Sequence, residues 1–208
     1  MSEKLFLLDF DGVLVDSLDF YARVVGATLD KIGTPIVRSR EDYISLFEGN
    51  FYDCLKQRGV DLDAFIQAGR EIRAKADYGS IKPQPGWNPV LETLSRSHPL
   101  TIISSNDSST IKAMLKRFEW NIYFGEIFGS DYLYSKKGKL ITALQKISMK
   151  PDQAYYVGDT IGDIKEAREA GVKSVAVSWG WHSREKLAAA DPDFMIDKPE
   201  ELLHLSIL

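Results

Sequence analysis

Leu5-Phe6-Leu7-Leu8-Asp9-Phe10-Asp11-Gly12-Val13-Leu14-Val15-Asp16-Ser17 begins as an apolar run of strand length, then presents two carboxylates spaced two apart and a glycine that lets the backbone turn sharply. Side chains alternate along an extended chain, so Asp9 and Asp11 should project to one side and Phe10 to the other. Two anions that close repel. The pair is tolerable if a cation sits between them, if one acid keeps its proton, or if water screens both. The first two conditions describe a metal-assisted phosphoryl-transfer site. An isolated D-x-D-G is also a common strand-end turn, so its meaning depends on what the rest of the chain brings to it.

Beyond Ser17 the periodicity becomes helical. Leu18, Tyr21, Ala22, Val25, Leu29 and Ile32 form one stripe, with Asp16 or Ser17 as N-cap and Gly33 past the end. Further helices are expected over 39–48, 50–58 and 61–76 with no strand between them. Residues 17–79 therefore read as an all-helical insert, closed by the linker Gly79-Ser80-Ile81-Lys82-Pro83-Gln84-Pro85-Gly86. From Trp87 onward helix and strand alternate, with strands expected at 100–104, 126–128, 154–157, 174–177 and 194–196. Helices are expected near 87–97, 108–118, 139–147, 161–170 and 183–190, and from Pro199. That alternation implies an α/β fold with a parallel sheet covered on both faces. In such a sheet ligands bind beyond the carboxyl ends of the strands, which places the later loops beside Asp9 and Asp11.

Composition bounds the function. The chain has 208 residues, 44% of them hydrophobic and 27% charged, with a formal net charge of -4. No block of like charge suggests a nucleic-acid or anionic-membrane partner. No apolar run reaches membrane-spanning length, and Met1-Ser2-Glu3-Lys4 leads straight into the strand, so a cytoplasmic protein is expected. The single cysteine, Cys54, excludes an internal disulfide or a cysteine-rich metal site and reads as packing.

Three of the later loops carry chemistry. Ser105-Asn106-Asp107-Ser108-Ser109 offers a hydroxyl and free helix N–H groups, either as an anion cradle or as a plain helix cap. Ser135-Lys136-Lys137-Gly138-Lys139 sets three lysines where a helix dipole disfavours them, unless an anion is bound; a solvated charge cluster is the simpler alternative. Gly158-Asp159-Thr160-Ile161-Gly162-Asp163 places acids four apart at a strand-to-helix junction, suited either to a hard cation or to capping.

Together these segments resemble the haloacid dehalogenase superfamily of aspartate-nucleophile hydrolases, in its phosphoglycolate-phosphatase-like branch. The first motif stands as Asp9 to Ser17, the second as Ile102-Ile103-Ser104-Ser105-Asn106, and the fourth as Gly158 to Asp163. The third usually places its lysine in K-P-x-P, whereas here the run lacks proline; Lys137 matches a Lys-Gly variant best, with Lys136 and Lys139 open. The resemblance implies a Rossmann-like doubly wound core, residues 1–16 and 80–208, with a helical cap over 17–79. It also implies a Mg2+-dependent phosphatase acting on a small phosphorylated metabolite. Asp9 would be the nucleophile and Asp11 the acid and base. Ser105, Asn106 and Lys137 would hold the phosphate. Asp9, the carbonyl of Asp11 and Asp159 would hold Mg2+, with Asp163 ordering the metal's surroundings.

Two alternatives stand beside it. A hexose-phosphate mutase shares the core machinery but tends to carry histidine where Tyr21 stands, and a retired binding protein would have lost motif acids that are all present here. Phosphoglycolate itself is only a family-based expectation, and a monomer or homodimer is expected. His98 and His204 read as surface or packing residues, His182 as loop packing near the rim, and Tyr43, Phe47 and Phe51 as core. Arg38, Arg40, Arg70 and Arg73 are candidates for a second anionic group of the substrate or simply solvated helix faces.

Overall fold

The computed structural model describes residues 3–207; Met1 and Ser2, read above as leading into the first strand, and Leu208 lie outside them. The strands are β1 (Leu5–Leu8), β2 (Val15–Asp16), β3 (Lys82–Pro83), β4 (Leu100–Ile103), β5 (Glu126–Phe128), β6 (Ala154–Gly158), β7 (Lys173–Val177) and β8 (Phe194–Ile196). The helices are α1 (Leu18–Lys31), α2 (Arg40–Ile44), α3 (Phe51–Gln57), α4 (Leu62–Arg73) and α5 (Trp87–Ser95). They continue with α6 (Ser108–Arg117), α7 (Lys136–Ile147), α8 (Ile161–Ala170), α9 (Arg184–Ala189) and α10 (Leu202–Ser206).

Six strands make one parallel sheet in the order β5-β4-β1-β6-β7-β8. β1 lies inside it, between β4 (Phe6 opposite Leu100) and β6 (Leu5 opposite Ala154). Its alternation sorts the core. Leu5 and Leu7 pack with Leu140, Leu144 and Ala167 from α7 and α8, while Phe6 and Leu8 pack with Val90, Leu91, Ile111 and Leu202 on the opposite face. Covering both faces buries all four β1 residues, and each fully buried apolar side chain contributes roughly 1.5–3 kcal/mol. Asp9 continues the parity of Leu5 and Leu7, towards the face covered by α7.

The chain leaves the sheet through a tight loop. Gly12 sits at φ +83°, Leu14 and Val15 donate back to the Phe10 carbonyl, and the indoles of Trp87 and Trp179 both donate to the Val13 carbonyl. β2 then pairs antiparallel with β3, so the segment that departs at Asp16 returns beside it at Lys82. Between them run α1 to α4, as the helical periodicity predicts, with Ser39, Asn50 and Asp61 capping three of the helix starts. Ser17 occupies the N-cap of α1 without a side-chain bond. The 39–48 helix is shorter than expected, ending at Ile44 and continuing as a turn of 3-10 helix over Ser45–Phe47.

One element starts earlier than its sequence suggests. α7 begins at Lys136, not near Lys139, because Ser135 caps it by accepting from the Gly138 N–H. No helix among the described residues is long and apolar enough to cross a membrane.

Candidate active site

The register of β1 between β4 and β6 brings three loops to one point. Asp9 lies immediately past β1, Ser104 to Asn106 past β4, and Asp159 past β6. Asp9, Asp159 and Asp163 are buried, and each offers a carboxylate oxygen within 4.8 Å of the others. The motif acids separated by some 150 positions in the chain thus converge, as read from sequence.

These acids are not equivalent. Both oxygens of Asp163 are occupied. Oδ1 accepts from Lys136 Nζ at 2.6 Å and Tyr156 Oη at 2.9 Å, and Oδ2 accepts from the Thr160 hydroxyl at 2.7 Å and the N–H groups of Thr160 and Asp159. Burial alone would raise the pKa of Asp163, but Lys136 and these donors hold it below the ordinary value. Asp159 is the opposite case. Trp181 N–H donates to its Oδ2 at 2.7 Å, while its Oδ1 is buried without a hydrogen-bond partner. Burial and the charges of Asp163 and Asp9 push it well above the usual carboxylate range. Space around Asp159 is reserved by glycine: a Cβ on Gly12 would lie 2.1 Å from its Oδ2, and one on Gly180 2.1 Å from its Cβ.

Asp9 accepts from Lys136 Nζ at 2.5 Å through Oδ2 and from the Phe10 N–H at 2.7 Å through Oδ1. Burial, with the charges of Asp163 and Asp11, raises its pKa to about 7 despite the lysine. Asp11 takes an amide hydrogen from Asn106 Nδ2 at 3.1 Å on Oδ2, and its Oδ1 is buried and unpartnered. Burial lifts it to about 6. Asn106 in turn donates to the hydroxyl of Tyr21.

The lysine assignment is corrected by these positions. Lys136 is the buried one, bridging Asp9 and Asp163, whereas Lys137 points outward and pairs with Glu169 at 3.3 Å. Lys139 is also buried but donates to the Ser104 carbonyl at 2.5 Å, fixing the β4 loop from below. One helical step of about 100° separates an inward from an outward side chain, and sequence alone does not set that phase. Ser105 lines the cavity beside Asp9, and its carbonyl accepts from Tyr52 Oη at 3.2 Å. Asn106 also lines it, its amide turned to Asp11.

The helical segment closes over this point. A cavity runs from Asp9, Asp11 and Asp159 up to Tyr43, Phe47, Phe51, Tyr52, Phe65 and Arg73. Tyr43, Phe47 and Phe51 are buried as expected and also form its wall. His182 is a packing residue: its Nδ1 accepts from the Ile161 N–H at 2.9 Å and its Nε2 lies 3.3 Å from the Ile44 carbonyl, tying helix α2 to the start of α8. Cys54 is half-buried against the core. Tyr156, Thr160 and Trp181 complete the site without having been singled out for it, and Tyr21, marked in the sequence only on the α1 stripe and as the position where mutases tend to carry histidine, joins them. Thr160 lay inside the Gly158 to Asp163 loop, Trp181 stands next to His182, and Tyr156 carried strand periodicity only.

The family model described as haloacid dehalogenase-like hydrolase matches residues 6–177. A phosphoglycolate phosphatase of Synechococcus elongatus is 32% identical over 202 residues, covering 95% of this chain and 94% of its own length. A solved haloacid dehalogenase-like family hydrolase of Streptococcus pneumoniae superposes with a TM-score of 0.78 at 31% identity, covering 98% of each chain. A Bacteroides fragilis structure shares the fold, with a TM-score of 0.84 at 20% identity over 97% of this chain and all of its own. With the matched family model spanning both the Asp9 motif and the Asp159 loop, the chain belongs to the haloacid dehalogenase-like hydrolases.

Proposed function

We propose that the protein is a Mg2+-dependent phosphatase that hydrolyses a small phosphate monoester, phosphoglycolate-like in size, through an aspartyl-phosphate. The observation that carries the reading is a charge imbalance. Asp9, Asp11, Asp159 and Asp163 are buried together, the ammonium of Lys136 is the cation that touches them among the described residues, and one oxygen each of Asp11 and Asp159 has no partner. A hard divalent cation fits an all-oxygen donor set of this kind. Asp9, the main-chain carbonyl of Asp11 and Asp159 would hold it; Asp163, already saturated, would order what surrounds it. When bound, it would supply positive charge that offsets the repulsion between the Asp9 anion and the phosphoryl oxygens.

The chain's own residues would do the rest. An Asp9 carboxylate oxygen forms a bond to phosphorus as the bond from phosphorus to the leaving alcohol oxygen breaks, and Asp11 transfers its proton to that oxygen. An acid lifted to about 6 keeps part of its population protonated near neutral pH, which suits this task. Water then attacks phosphorus, giving a proton to Asp11, and the Asp9–phosphorus bond breaks to release orthophosphate. Lys136 and the Ser105 loop stabilise the charge on the transferring group. Helices α1 to α4 act as the cap that expels water. Uncatalysed monoester hydrolysis leaves on the order of 20 kcal/mol of barrier lowering for these parts to share.

The test is turnover of p-nitrophenyl phosphate with Mg2+. Asp9→Asn is expected to abolish it, Asp11→Asn to slow it by a factor of about 100 or more, and chelation to stop it reversibly. Wild-type rates in Asp9→Asn, or indifference to chelator, would overturn the reading.

A further inference from the structure

Glu166 is a buried carboxylate that the proposed chemistry does not use. It lies three residues after Asp163 on α8, beside the buried Ile164 and Ala167. An ionised side chain taken out of water destabilises a fold unless donors hold it, and the donors around Glu166 come from two other elements.

The first element is α7. The Lys137 N–H donates to Oε1 at 3.1 Å, and the Ser135 hydroxyl, which caps that helix by accepting from the Gly138 N–H, donates to the same oxygen at 3.4 Å. Lys137 directly follows Lys136, so the bond to Glu166 fixes the peptide from which the Lys136 side chain reaches Asp9 and Asp163. A cation in the first turn of a helix opposes the helix dipole, and a carboxylate at the same turn offsets that.

The second element is α3. Asn50 caps it through Oδ1, which accepts from the Tyr52 and Asp53 N–H groups, so the amide nitrogen must face the other way. There Nδ2 donates to the Tyr134 carbonyl at 3.0 Å and to Glu166 Oε1 and Oε2 at 3.3 and 3.4 Å. Two residues along, Tyr52 stacks on Tyr134 at 4.3 Å and gives its hydroxyl hydrogen to the Ser105 carbonyl. The start of α3 therefore meets, within one turn, the segment that carries Lys136 and the loop that carries Ser105.

Building on the phosphatase reading, we propose that Glu166 is a positioning residue for phosphoryl transfer: by holding Asn50 and the first turn of α7 with one carboxylate, it makes the seating of α3 and the setting of Lys136 a single event. Lifting α3 takes the Asn50 donor away, so the carboxylate is fully held only with the cavity closed.

Reciprocal substitution tests this, read as kcat and KM for p-nitrophenyl phosphate with Mg2+. Glu166→Gln keeps an oxygen for the Lys137 N–H but turns its amide on that of Asn50. Asn50→Asp keeps the α3 cap but sets a second anion against Glu166. The double variant exchanges donor and acceptor between the two positions. Each single substitution is expected to lower kcat about 10-fold or more, the usual worth of a hydrogen bond to a charged group. The double variant should return to within about 3-fold of wild type, with the carbonyl of the exposed Tyr134 left to water. Losses that multiply in the double variant, a kcat unmoved by either single substitution, or changes in KM alone would overturn the proposal. Recovery of melting temperature without recovery of kcat would reduce Glu166 to packing and overturn it as well. In each of these cases wild-type turnover leaves the phosphatase reading standing, whereas no turnover of any ester by the wild type removes both.

Discussion

Lys136 and Lys139 are three residues apart on α7 and both buried, yet their environments oppose each other. Burial disfavours the ammonium of Lys136, but Asp163 and Asp9 more than offset it and hold the group charged above the ordinary lysine range. Removing such a partner strands two buried carboxylates, typically a loss of about 3–5 kcal/mol. Lys139 has only the Ser104 carbonyl, and burial with the neighbouring Lys136 charge lowers it to about 7. The unfolded chain holds its Lys139 proton up to the ordinary lysine value, while the folded chain releases it near 7. Between about pH 7 and 10 the unfolded state therefore binds more protons, and stability contributed by this residue rises with pH. Urea unfolding across that range is expected to show a positive slope that Lys139→Met reduces; parallel curves for the two proteins would refute the buried neutral lysine. Which lysine touches Asp9 was not legible in Lys136-Lys137-Gly138-Lys139, because the cap at Ser135 that sets the helix phase resembles any loop serine. The aspartates were legible, since a strand tip dictates where its last side chains point.

At the scale of elements, the start of α8 is where the helical segment meets the sheet. A Cβ on Gly162 would lie 2.5 Å from the Gly49 carbonyl oxygen and 2.9 Å from that of Phe47, backbone groups that cannot swing aside. Around this contact Lys165 donates to the Glu48 carbonyl at 2.8 Å, Lys186 pairs with Glu48 at 2.6 Å, and Asn50 Nδ2 donates to the Tyr134 carbonyl at 3.0 Å. Gly162→Ala should favour α8 itself by roughly 0.5–1 kcal/mol while forcing residues 45–50 off the sheet. Hydrogen exchange is expected to quicken at those amides and stay slow in β1 and β6, with a raised KM; unchanged protection over 45–50 would contradict the contact. Strand and helix identities came through in sequence because period-2 and period-3.6 patterns are local properties. This docking did not, because Gly162 reads locally as a helix residue inside G-D-x-x-x-D, and its need for a bare Cα arises from a backbone more than a hundred positions away.

For the molecule as a whole, the apolar cluster that holds Phe6 and Leu8 continues without a break into Val25, Leu46, Phe51 and Phe65, so the helical segment and the sheet share a core. That continuity runs past the active site, and Trp181 stands at the junction, its ring 5.4 Å from Tyr43 and 4.8 Å from Phe47 while its backbone N–H holds Asp159. If substrate entry requires the segment to lift along the β2–β3 pair, these ring contacts must part and the indole must meet water. Trp87 and Trp120 are buried, and the half-buried Trp179 packs on Trp87 and donates to the Val13 carbonyl, away from these ring contacts, so none of the three would change. Acrylamide quenching of tryptophan emission should therefore fall when Mg2+ and orthovanadate close the cavity, and the fall should vanish in Trp181→Phe. A decrease of equal size in that variant would overturn closure through this junction.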